Sequence, residues 1–501
     1  MDLCERLRTV VFLDSDAEAI EFESVWHPWA ALQRVWEGVD SHLDEFGAGE
    51  SATVGVVLRN RPECAATIAA LLGTGRCLVT LSPLQADADL AGDIARLPLA
   101  AVVATESDWE REGFADAVEA SGALGIAIGG SVGEVRGQME PAGEISTRVR
   151  PGIAVEMLTS GTTGPPKRVP LPYRNLAHSI EILSHYRSSD DGADDVRLSE
   201  SVTILFSPLS HISGTWGVVE AVSAGRKLAL LEQFRADAWL DLVRRFRPKF
   251  SSLPPTCMRM VLDTPGVTKE DLSSLRAVRA ATAPLDPSMA DEFEERFGVP
   301  VLIAYGATEF AGAVVGWTLR DHDRFHKAKR GSAGRAHPGI ELRVVDPESG
   351  DVLGEDEVGI LEVTGDQLAG LDSSEWIRTQ DLARIDSDGF VWLRGRTDDV
   401  IIRGGFKVDT GRVASVLERH AAVRAAGVVG VADRRLGAVP VAVIEPEKEG
   451  RVTAEELADW ARGSLSVYEQ PVRFILVDEL PRTATLKVSR RALEQLAATV
   501  E

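Results

Sequence analysis

Cysteine is scarce in this sequence, and long apolar runs are missing from it. The four cysteines, Cys4, Cys64, Cys77 and Cys257, are scattered and form no C-x-x-C pair, so the sequence indicates neither a disulfide framework nor a zinc site. No apolar run reaches the roughly 18 residues of a membrane-spanning helix, and the N-terminus lacks the apolar segment of a signal peptide. We therefore expect a cytoplasmic protein without a membrane span.

Basic residues are also in short supply. Lysine and arginine number 54 against 77 aspartates and glutamates, which gives a formal net charge of −23. A surface this acidic repels polyanions, which argues against nucleic acid or an anionic membrane as the main partner. Any site for a phosphate-bearing ligand must therefore be a local basic island within an acidic surface.

Helix-like and strand-like runs alternate through the first 330 of the 501 residues, which predicts layered α/β structure with parallel strands. Predicted strands cover 52–58, 99–105, 153–158, 202–206, 227–231 and 275–280, and predicted helices cover 29–46, 62–73, 109–120, 174–183, 236–246 and 289–297. Short strand-like runs at 340–346, 359–364 and 390–393 indicate a small β-barrel-like part or an antiparallel layer.

The chain beyond Arg396 becomes a compact α+β tail, with helices predicted at 409–420 and 454–463. We therefore predict a large N-terminal domain over residues 1–396 and a small, mobile C-terminal domain over residues 397–501. A length of 501 residues is ample for both and for a large core.

The stretch at 158–167 reads LTSGTTGPPK. Its hydroxyls, unhindered backbone N–H groups and terminal lysine are what a loop needs to surround phosphate oxygens, and its glycines let the backbone approach a ligand closely. The stretch does not match the G-x-x-x-x-G-K-[ST] phosphate loop. Taken alone, it is equally well a solvated turn.

Four further blocks follow this stretch. They read YGATE at 305–309, RTQD at 378–381, GRTDD at 395–399 with GG at 404–405, and PRTATLK at 481–487. Together with the first stretch they resemble, in the family's order, the signatures of the adenylate-forming superfamily of acyl-CoA synthetases, peptide-synthetase adenylation domains and luciferases. The resemblance spans residues 158–487, and five ordered blocks are far more specific than any one of them.

The resemblance implies a reaction in two halves. A carboxylate attacks the α-phosphate of ATP, releases pyrophosphate and leaves an acyl-adenylate, and a thiol, often that of CoA, then displaces AMP. The implied ligands are ATP or AMP, Mg²⁺ and coenzyme A. Since the enzyme does little covalent work in such a scheme, positioning and charge stabilisation should dominate. We therefore expect an AMP-forming acyl-CoA ligase.

Nucleotide contacts are implied residue by residue. Those expected at the β- and γ-phosphates are Thr159, Ser160, Gly161, Thr162, Thr163, Gly164 and Lys167. Those expected around adenine are Tyr305, with Gly306 and Ala307 in the same block, and the segment Ala281, Thr282 and Ala283.

The α-phosphate, the metal and the ribose have implied partners as well. Thr308 would lie near the α-phosphate, and Glu309 would bind Mg²⁺, which prefers carboxylate and phosphate oxygens. Asp381 would accept from both ribose hydroxyls, with Arg396 as a further donor. The plainer interpretations are an exposed loop carboxylate for Glu309 and a surface ion pair for Arg396.

The run PLSHISG at 208–214 resembles the family's acyl-pocket segment. Its His211 would lie beside the substrate carboxylate, although a lone histidine is nearly as often a packed core residue. Trp216 and the small residues Gly217, Ala311, Gly312 and Ala313 indicate an apolar pocket with room. No aspartate opens this segment to pair an α-ammonium group, so a bulky hydrophobic acid is favoured over an amino acid.

A hinge is implied at Asp398, about which the C-terminal domain would swing between two poses. One pose would bring Lys487 to the α-phosphate and the carboxylate as a catalytic residue. The other would bring Gly404, Gly405 and Lys407 in to form a channel for the thiol. Domain closure and product release would then gate turnover.

Two blocks depart from the family's pattern. The chain has Gln380 where the family usually has glycine before the aspartate, and Leu486 where it usually has glycine before the catalytic lysine. A leucine restricts φ, and an ammonium misplaced by about 1 Å can cost on the order of 10²-fold in rate. One hypothesis is therefore a thioesterification-only enzyme that uses a preformed adenylate, in which Leu486→Gly would raise pyrophosphate release.

Two more functions are compatible with the sequence. The chain could be a ligase that loads a carrier protein, or an adenylate-binding protein that has lost the chemistry; a homodimer is one candidate assembly. His322 and His326 lack the Glu at 323 of a zincin-like site and are predicted to be surface histidines. GGSVG at 129–133 fits the G-x-S-x-G motif of hydrolases, but no apolar-faced helix is predicted after Ser131, so the motif indicates a loop.

Overall fold

The computed structural model describes residues 1–129, 132–159, 167–184, 196–368, 375–397, 400–404, 406–447, 452–483 and 486–499. The strands in chain order are β1 Glu18–Phe22, β2 Val25–Pro28, β3 Thr53–Val57, β4 Cys77–Leu81, β5 Ala101–Thr105, β6 Leu124–Ile128, β7 Val135–Met139, β8 Ile153–Thr159, β9 Lys167–Pro172, β10 Ser199–Leu205, β11 Arg226–Leu230, β12 Phe250–Ser252, β13 Ala277–Ala280, β14 Val301–Ala307, β15 Gly312–Gly316, β16 Arg335–Ala336, β17 Ile340–Val345, β18 Gly359–Gly365, β19 Ile377–Ile385, β20 Val391–Arg396, β21 Val400–Arg403, β22 Phe406–Asp409, β23 Val423–Asp433, β24 Gly437–Pro446 and β25 Arg473–Leu476.

The helices in chain order are α1 Leu3–Val11, α2 Trp29–Glu45, α3 Pro62–Gly73, α4 Asp87–Arg96, α5 Glu106–Trp109, α6 Phe114–Ser121, α7 Tyr173–Ser184, α8 Ile212–Ser223, α9 Ala236–Phe246, α10 Pro255–Leu262, α11 Pro287–Phe297, α12 Leu319–Phe325, α13 Thr410–Glu418, α14 Ala454–Ser464 and α15 Arg490–Thr499. A 3₁₀ turn covers Thr308–Phe310.

The large domain is built from three sheets that each contain parallel strands. One has the strand order β7-β6-β5-β3-β4-β8-β9, a second β10-β11-β1-β2, and a third β12-β13-β14-β15-β16. In the first, β3, β4, β5, β6 and β8 run parallel, whereas the edge strands β7 and β9 pair antiparallel with their neighbours. The predicted layered α/β class is confirmed.

Burial on both faces explains why the inner strands form as they do. Every residue of β3 and β4 is buried, and valine-rich runs of this kind are typical of parallel strands covered by helices on both sides. Helix α3 is buried along its whole length and packs closely because Gly73 has no side chain. A Cβ at Gly73 would lie 1.9 Å from the ring of Trp36.

The chain after residue 339 forms an antiparallel layer, which is one of the two structures predicted for it. Its four strands follow in the order β17-β18-β19-β20, and each pairs antiparallel with the next. Beyond it, a separate sheet has the order β22-β21-β24-β23, with β25 added beside β24. This last sheet has apolar clusters of its own with α13, α14 and α15, which makes residues after 400 a distinct unit.

The prediction of one helix over 109–120 was wrong in detail. The structure has two short helices, α5 and α6, separated by Gly113, which takes a φ of +70° before α6 begins. The 129–133 segment joins β6 to the antiparallel strand β7 and is not followed by a helix, whereas a nucleophile elbow requires one. Ser131 itself lies outside the described residues. In the part of the chain that the structure covers, no helix is long and apolar enough to cross a bilayer.

Candidate active site

Tyr305 and Asp381 make direct contact at the centre of the site. Tyr305 lies near the end of β14, and Asp381 lies in β19 of the antiparallel layer. The Tyr305 hydroxyl donates to Oδ2 of Asp381 at 2.5 Å. Burial and the negative charge of Asp381 raise the pKa of Tyr305, so the phenol keeps its proton and acts as a donor at neutral pH.

Arg396 approaches the other oxygen of the same carboxylate. The sheet register brings it there, because Arg396 at the end of β20 pairs with Asp381 of β19. Its Nη1 lies 3.5 Å from Oδ1 of Asp381, and its Nη2 donates to Oε1 of Gln380 at 2.5 Å. Gln380, which departs from the family's pattern, is therefore a direct partner of the arginine predicted to bind ribose.

Lys487 reaches the same cleft from the C-terminal unit. Burial and the charge of Arg396 lower the pKa of Lys487, and the charge of Asp381 opposes this in part. Lys487 remains accessible to solvent. Its pKa is lowered because the walls of the cleft replace part of the water around the ammonium. Groups from β14, β19, β20 and the C-terminal loop thus meet in one place.

His211 lies close enough to Lys487 for their charges to interact. It is the N-cap residue of α8. Burial lowers the pKa of His211, and the positive charge of Lys487 lowers it further. The imidazole is therefore neutral at pH 7, so it adds no second positive charge beside the Lys487 ammonium.

Asn60 fixes the segment that carries His211, a role that was not predicted. Its side-chain oxygen accepts from the N–H of Leu209 at 2.9 Å, and its Nδ2 donates to the carbonyls of Phe206 and Leu231 at 3.0 and 3.1 Å. The side chain is buried, with 6% exposed. The available signal in the sequence is a polar residue three positions after the end of the apolar strand β3, near the edge where parallel strands end.

Thr308 and Glu309 stand on the 3₁₀ turn that follows β14. The turn is closed by Ala311 with a φ of +52°. Gly306 is required just before it, because a Cβ there would lie 2.1 Å from the carbonyl oxygen of Gly312. The tight approach of β14 to β15 therefore presents Glu309 at the end of the strand that carries Tyr305.

Two polar side chains that were not predicted hold the backbone after Glu309. Ser179 of α7 donates to the carbonyl of Ala311 at 3.1 Å and accepts from Nε1 of Trp216 at 2.9 Å. Gln367 donates to the carbonyl of Phe310 at 2.7 Å. These contacts bring Trp216 beside the small residues that follow Glu309, and its role in an acyl pocket stays a prediction.

Leu486 directly precedes Lys487 in the loop that follows Thr483. The loop is closed by bonds from the N–H of Thr483 to the Lys487 carbonyl at 2.7 Å and from the N–H of Leu486 to the Thr483 carbonyl at 2.8 Å. Leu486 has a φ of +61°, in the left-handed region that favours glycine. That conformation costs a leucine about 1–2 kcal/mol.

The Leu486 side chain does not point away from the protein. It packs against an apolar cluster of the large domain that includes Cys257 and Phe293. The carbonyl of Leu486 accepts from Oγ1 of Thr256, at the start of α10, at 3.4 Å. The residue before the lysine therefore contacts the large domain with both its side chain and its backbone.

Arg482 ties the same loop to its own domain. Its Nη1 donates to the Leu486 carbonyl at 3.3 Å, and its Nη2 lies 3.4 Å from Oε2 of Glu445 in β24. Glu445 is buried, accepts from the N–H of Leu480 at 2.9 Å and pairs with Arg424 at 3.3 Å. We name this group, Arg482 with Glu445 and Arg424, the loop brace.

Sequence comparison places the chain in a family. The profile described as AMP-binding enzyme matches residues 9–370, and the profile described as AMP-binding enzyme C-terminal domain matches residues 412–487. The chain belongs to the AMP-binding enzyme family. The predicted membership of the adenylate-forming superfamily is thereby confirmed.

Relatives of this AMP-binding enzyme cover most of its length. The chain is 27% identical to 4-coumarate–CoA ligase 3 of Oryza sativa subsp. japonica, over 95% of this chain and 88% of the relative. It is 32% identical to indoleacetate–CoA ligase of Aromatoleum aromaticum, over 68% and 66%. ATP-bound MatB from Rhodopseudomonas palustris superposes over 100% of both chains with a TM-score of 0.84 at 25% identity. The predicted enzyme type, an AMP-forming acid–thiol ligase, is confirmed.

The hydroxyl-rich stretch of the AMP-binding enzyme joins two antiparallel strands. β8 ends at Thr159, which pairs with Lys167 at the start of β9, a strand that was not predicted. Lys167 is exposed at the base of this hairpin. Outside the described residues lie Ser160, Gly161, Thr162, Thr163 and Gly164, and with them the side chain of Thr159. Their phosphate contacts remain predictions.

The hairpin predicted to line the thiol channel is formed by β21 and β22. Gly404 lies at its turn with a φ of +57°, and its N–H donates to the carbonyl of Leu436 at 2.7 Å. Asp398, Gly405 and the side chain of Lys407 lie outside the described residues. Their roles, and the domain boundary between residues 396 and 397, remain predictions.

The segment predicted for the adenine side connects β13 to α11 and contains Ala281, Thr282 and Ala283. Thr282 has a φ of +74°. Its hydroxyl oxygen is buried and has no hydrogen-bond partner among the residues that the structure describes. Because a buried hydroxyl without a partner is unfavourable, this segment has an unmet donor or acceptor that a bound ligand could satisfy.

Gly217 and Gly312 were both predicted to leave room in the acyl pocket, and both lie close against neighbouring side chains. A Cβ at Gly312 would lie 3.1 Å from Oγ of Ser179 and 4.0 Å from Nε1 of Trp216, so Gly312 lets β15 approach α7. A Cβ at Gly217 would lie 2.8 Å from Leu205, so Gly217 lets α8 pack against β10.

The prediction that His322 is a surface residue was wrong. It is buried, and its Nε2 lies 2.7 Å from Oε1 of Glu294. The ring of His326 stacks on it at a centroid distance of 4.8 Å. Among the described residues, no group of three or more His, Cys, Asp or Glu side chains is arranged to hold a metal ion. The two histidines therefore serve packing and, through His322, a hydrogen bond to Glu294.

Proposed function

We propose that this AMP-binding enzyme is an acyl-CoA ligase that converts a hydrophobic carboxylic acid into its CoA thioester through an acyl-adenylate. The observation that carries the proposal is the entry of Lys487 into the cleft that contains Tyr305, Asp381 and Arg396. An ammonium at this place can stabilise phosphate charge while the carboxylate and the guanidinium hold the ribose.

In the first half-reaction, a carboxylate oxygen of the acid attacks the α-phosphorus of ATP. The bond from that phosphorus to the bridging oxygen breaks, and pyrophosphate leaves with the electron pair. Negative charge grows on the α-phosphate oxygens, and Lys487 supplies the opposite charge. Asp381 and Arg396 fix the nucleotide, which gives the acid a defined line of attack.

Glu309 fits the role of the Mg²⁺ ligand. Its carboxylate stands exposed on the 3₁₀ turn beside Thr308, and Mg²⁺ typically takes one or two protein carboxylates together with phosphate oxygens. Bound Mg²⁺ would neutralise phosphate charge. We assign the same task to Lys167 and the hydroxyls of the 158–167 stretch.

In the second half-reaction, the CoA thiol loses its proton to solvent and its sulfur attacks the acyl carbon of the adenylate. The C–S bond forms, the bond from the acyl carbon to the phosphate oxygen breaks, and AMP leaves. We assign the thiol channel to Gly404, Gly405 and Lys407, and the hinge that brings them in to Asp398.

The acid is proposed to be bulky, apolar and aromatic. Trp216 supplies one wall of the predicted pocket, and His211 is neutral. Two relatives act, by their names, on 4-coumarate and on indoleacetate, both of which are aromatic acids. This assignment is tested by a panel of acids that contains these two together with aliphatic acids of matched length.

The function is tested by giving the purified protein ATP, Mg²⁺, CoA and each acid of the panel. We expect acid-dependent release of pyrophosphate and AMP, and a CoA thioester of the matching mass. Hydroxylamine in place of CoA should trap the acyl group as a hydroxamate. Absence of pyrophosphate with every acid would contradict the proposal.

A thioesterification-only enzyme is the second candidate, and the left-handed φ of Leu486 is the observation that favours it. Such an enzyme would release no pyrophosphate from acid and ATP, yet would form thioester from synthetic acyl-adenylate and CoA. Comparing these two assays on one preparation decides between the candidates.

Carrier loading and binding without chemistry have their own tests. Competition between CoA and a phosphopantetheinylated carrier protein for one adenylate would reveal a carrier-loading ligase. Calorimetric binding of adenylate without turnover would reveal a binding protein. The cytoplasmic location and the homodimer remain predictions, which cell fractionation and light scattering test.

A further inference from the structure

We propose that Leu486 is a positioning residue that anchors the loop carrying Lys487 to the large domain. In this role it favours the arrangement in which Lys487 lies in the nucleotide cleft. The proposal rests on the proposed function, because it takes the adenylation half-reaction as the step that Lys487 serves.

The backbone conformation of Leu486 indicates that its side chain makes a stabilising contact. The residue takes a φ of +61°, where glycine is favoured and leucine is strained. A leucine in such a place needs a compensating interaction. The compensating interaction lies in the other domain, because the side chain packs against the apolar cluster of α10 and α11.

The contact with the large domain has an apolar and a polar part. The side chain of Leu486 meets the apolar cluster, and its carbonyl accepts from Oγ1 of Thr256 at 3.4 Å. Thr256 lies on α10, the helix that also supplies Cys257 to the cluster. Both parts hold the residue directly before Lys487, so they restrict where the ammonium can go.

The loop is held from its own side as well. Arg482 of the loop brace donates to the same carbonyl at 3.3 Å and contacts Glu445 of β24. Because the brace belongs to the C-terminal unit, it would travel with Lys487 in any domain movement. The Leu486 contact with the large domain would break instead, so this contact stabilises one arrangement and not the other, and shifts the population between them.

A test separates the two half-reactions in the full-length protein. Leu486→Ala keeps the backbone strain of a non-glycine residue at this φ and removes the apolar contact with the large domain. Leu486→Gly removes both the strain and the contact, and Leu486→Met retains an apolar side chain. Leu476→Ala, at an exposed leucine of the same domain, is the matched control. Pyrophosphate release is measured with 4-coumarate and ATP without thiol, and transfer is measured from synthetic 4-coumaroyl-adenylate to CoA.

We expect Leu486→Ala and Leu486→Gly to lower pyrophosphate release roughly tenfold, as loss of a partly buried leucine contact allows. In these two variants, transfer from adenylate to CoA should be unchanged or faster. Leu486→Met should keep the rate of adenylation within about twofold of wild type. Leu476→Ala should leave the rates of both half-reactions unchanged. A rise in pyrophosphate release with Leu486→Gly would overturn the proposal, as would equal losses in both halves.

A measurement without chemistry tests the anchor even if the proposed function fails. Hydrogen exchange of α10 and of the 480–489 segment is compared between wild type and Leu486→Ala without ligands. Faster exchange in both segments of the variant supports the anchor, and unchanged exchange overturns it. Wild-type protein that releases no pyrophosphate with any acid overturns the proposed function alone.

Discussion

The side-chain oxygen of Gln380 accepts a hydrogen bond from Nη2 of Arg396 at 2.5 Å, while Nη1 of the same arginine lies 3.5 Å from Asp381. The guanidinium is therefore held between a neutral acceptor and a carboxylate from one strand, β19. A glycine at position 380 could not make this contact. The departure from the family's pattern thus supplies a partner for a residue of the predicted ribose site.

Gln380→Ala should weaken nucleotide binding without abolishing turnover. Arg396 would lose one acceptor, and an exposed hydrogen bond to a charged group contributes about 1 kcal/mol, or roughly fivefold in KM for ATP. Steady-state kinetics should show this rise in KM with little change in kcat. Gln380→Glu keeps an acceptor and is the control; equal KM values for wild type and Gln380→Ala would contradict this role.

Lys487→Ala should separate the half-reactions. Loss of the ammonium removes charge stabilisation at the α-phosphate, so pyrophosphate release should fall by about 10²–10³-fold, while transfer from synthetic adenylate to CoA should change little. Rapid-quench measurement of each half gives the answer. Similar losses in both halves would show that the lysine serves general folding or binding.

The lowered pKa of Lys487 predicts an alkaline decline in adenylation. Burial and Arg396 disfavour its charged form, so the ammonium loses its proton at lower pH than an ordinary lysine, and kcat/KM for ATP should fall as pH rises through that value. Lys487→Arg remains charged across this range. Its weaker activity should lack the alkaline limb, and an unchanged limb in that variant would assign the decline to another group.

Tyr305→Phe tests the hydroxyl apart from the ring. The variant keeps an aromatic surface for adenine but removes the bond to Asp381 at 2.5 Å, so ATP binding should weaken by about threefold to tenfold. Tyr305→Leu also removes the ring and should weaken it further. Isothermal titration with a non-hydrolysable ATP analogue measures both; equal losses would mean that the ring contributes nothing.

His337 should make the fold less stable in mild acid. Burial, and then Arg279, lower its pKa to about 4, whereas the unfolded value is about 6.5. Between these values the unfolded chain binds a proton that the native chain does not. Stability should therefore fall as pH drops from about 6.5 towards 4, by up to about 3 kcal/mol.

Urea unfolding of wild type and His337→Gln across this pH range checks the effect. The variant should show a shallower slope, because glutamine does not titrate. Some slope should remain, since the pKa of His211 is lowered as well and acts in the same direction. Parallel slopes in the two proteins would exclude His337 as a source.

Asn60→Ala should affect stability and adenylation together. It leaves the N–H of Leu209 and two carbonyls without their buried partner, at a cost of about 1–3 kcal/mol. His211 should then be held less firmly, and pyrophosphate release should fall. Asn60→Asp keeps the acceptor for Leu209 and should retain more activity than Asn60→Ala; the reverse order would contradict this role.

Much of the α/β core was predictable because burial restricts the sequence strongly there. The helices at 62–73 and 236–246 have the same bounds in the structure. The buried strands β4 and β6 were missed nevertheless. The strands β7 and β9 were not predicted, since they are edge strands with exposed and polar residues. Such strands form through hydrogen bonds to a neighbour, and these bonds leave little trace in side-chain periodicity.

The residues of the candidate site were likewise predicted only in part. Ordered motifs indicated that Tyr305, Asp381, Arg396 and Lys487 belong together. Asn60, Ser179 and Gln367 escaped notice because each binds backbone atoms far along the chain, as when Asn60 bonds Leu209 across 149 positions. Many polar side chains can donate a hydrogen bond to a backbone carbonyl, so only the folded structure shows which of them does.

The loop brace has a consequence for each catalytic cycle. Because Glu445 pairs with Arg482 and Arg424 at once, the loop that carries Lys487 is fixed to the sheet that contains β24. When the small domain rotates, this loop should keep its conformation. Lys487 should then already be positioned when the next ATP binds.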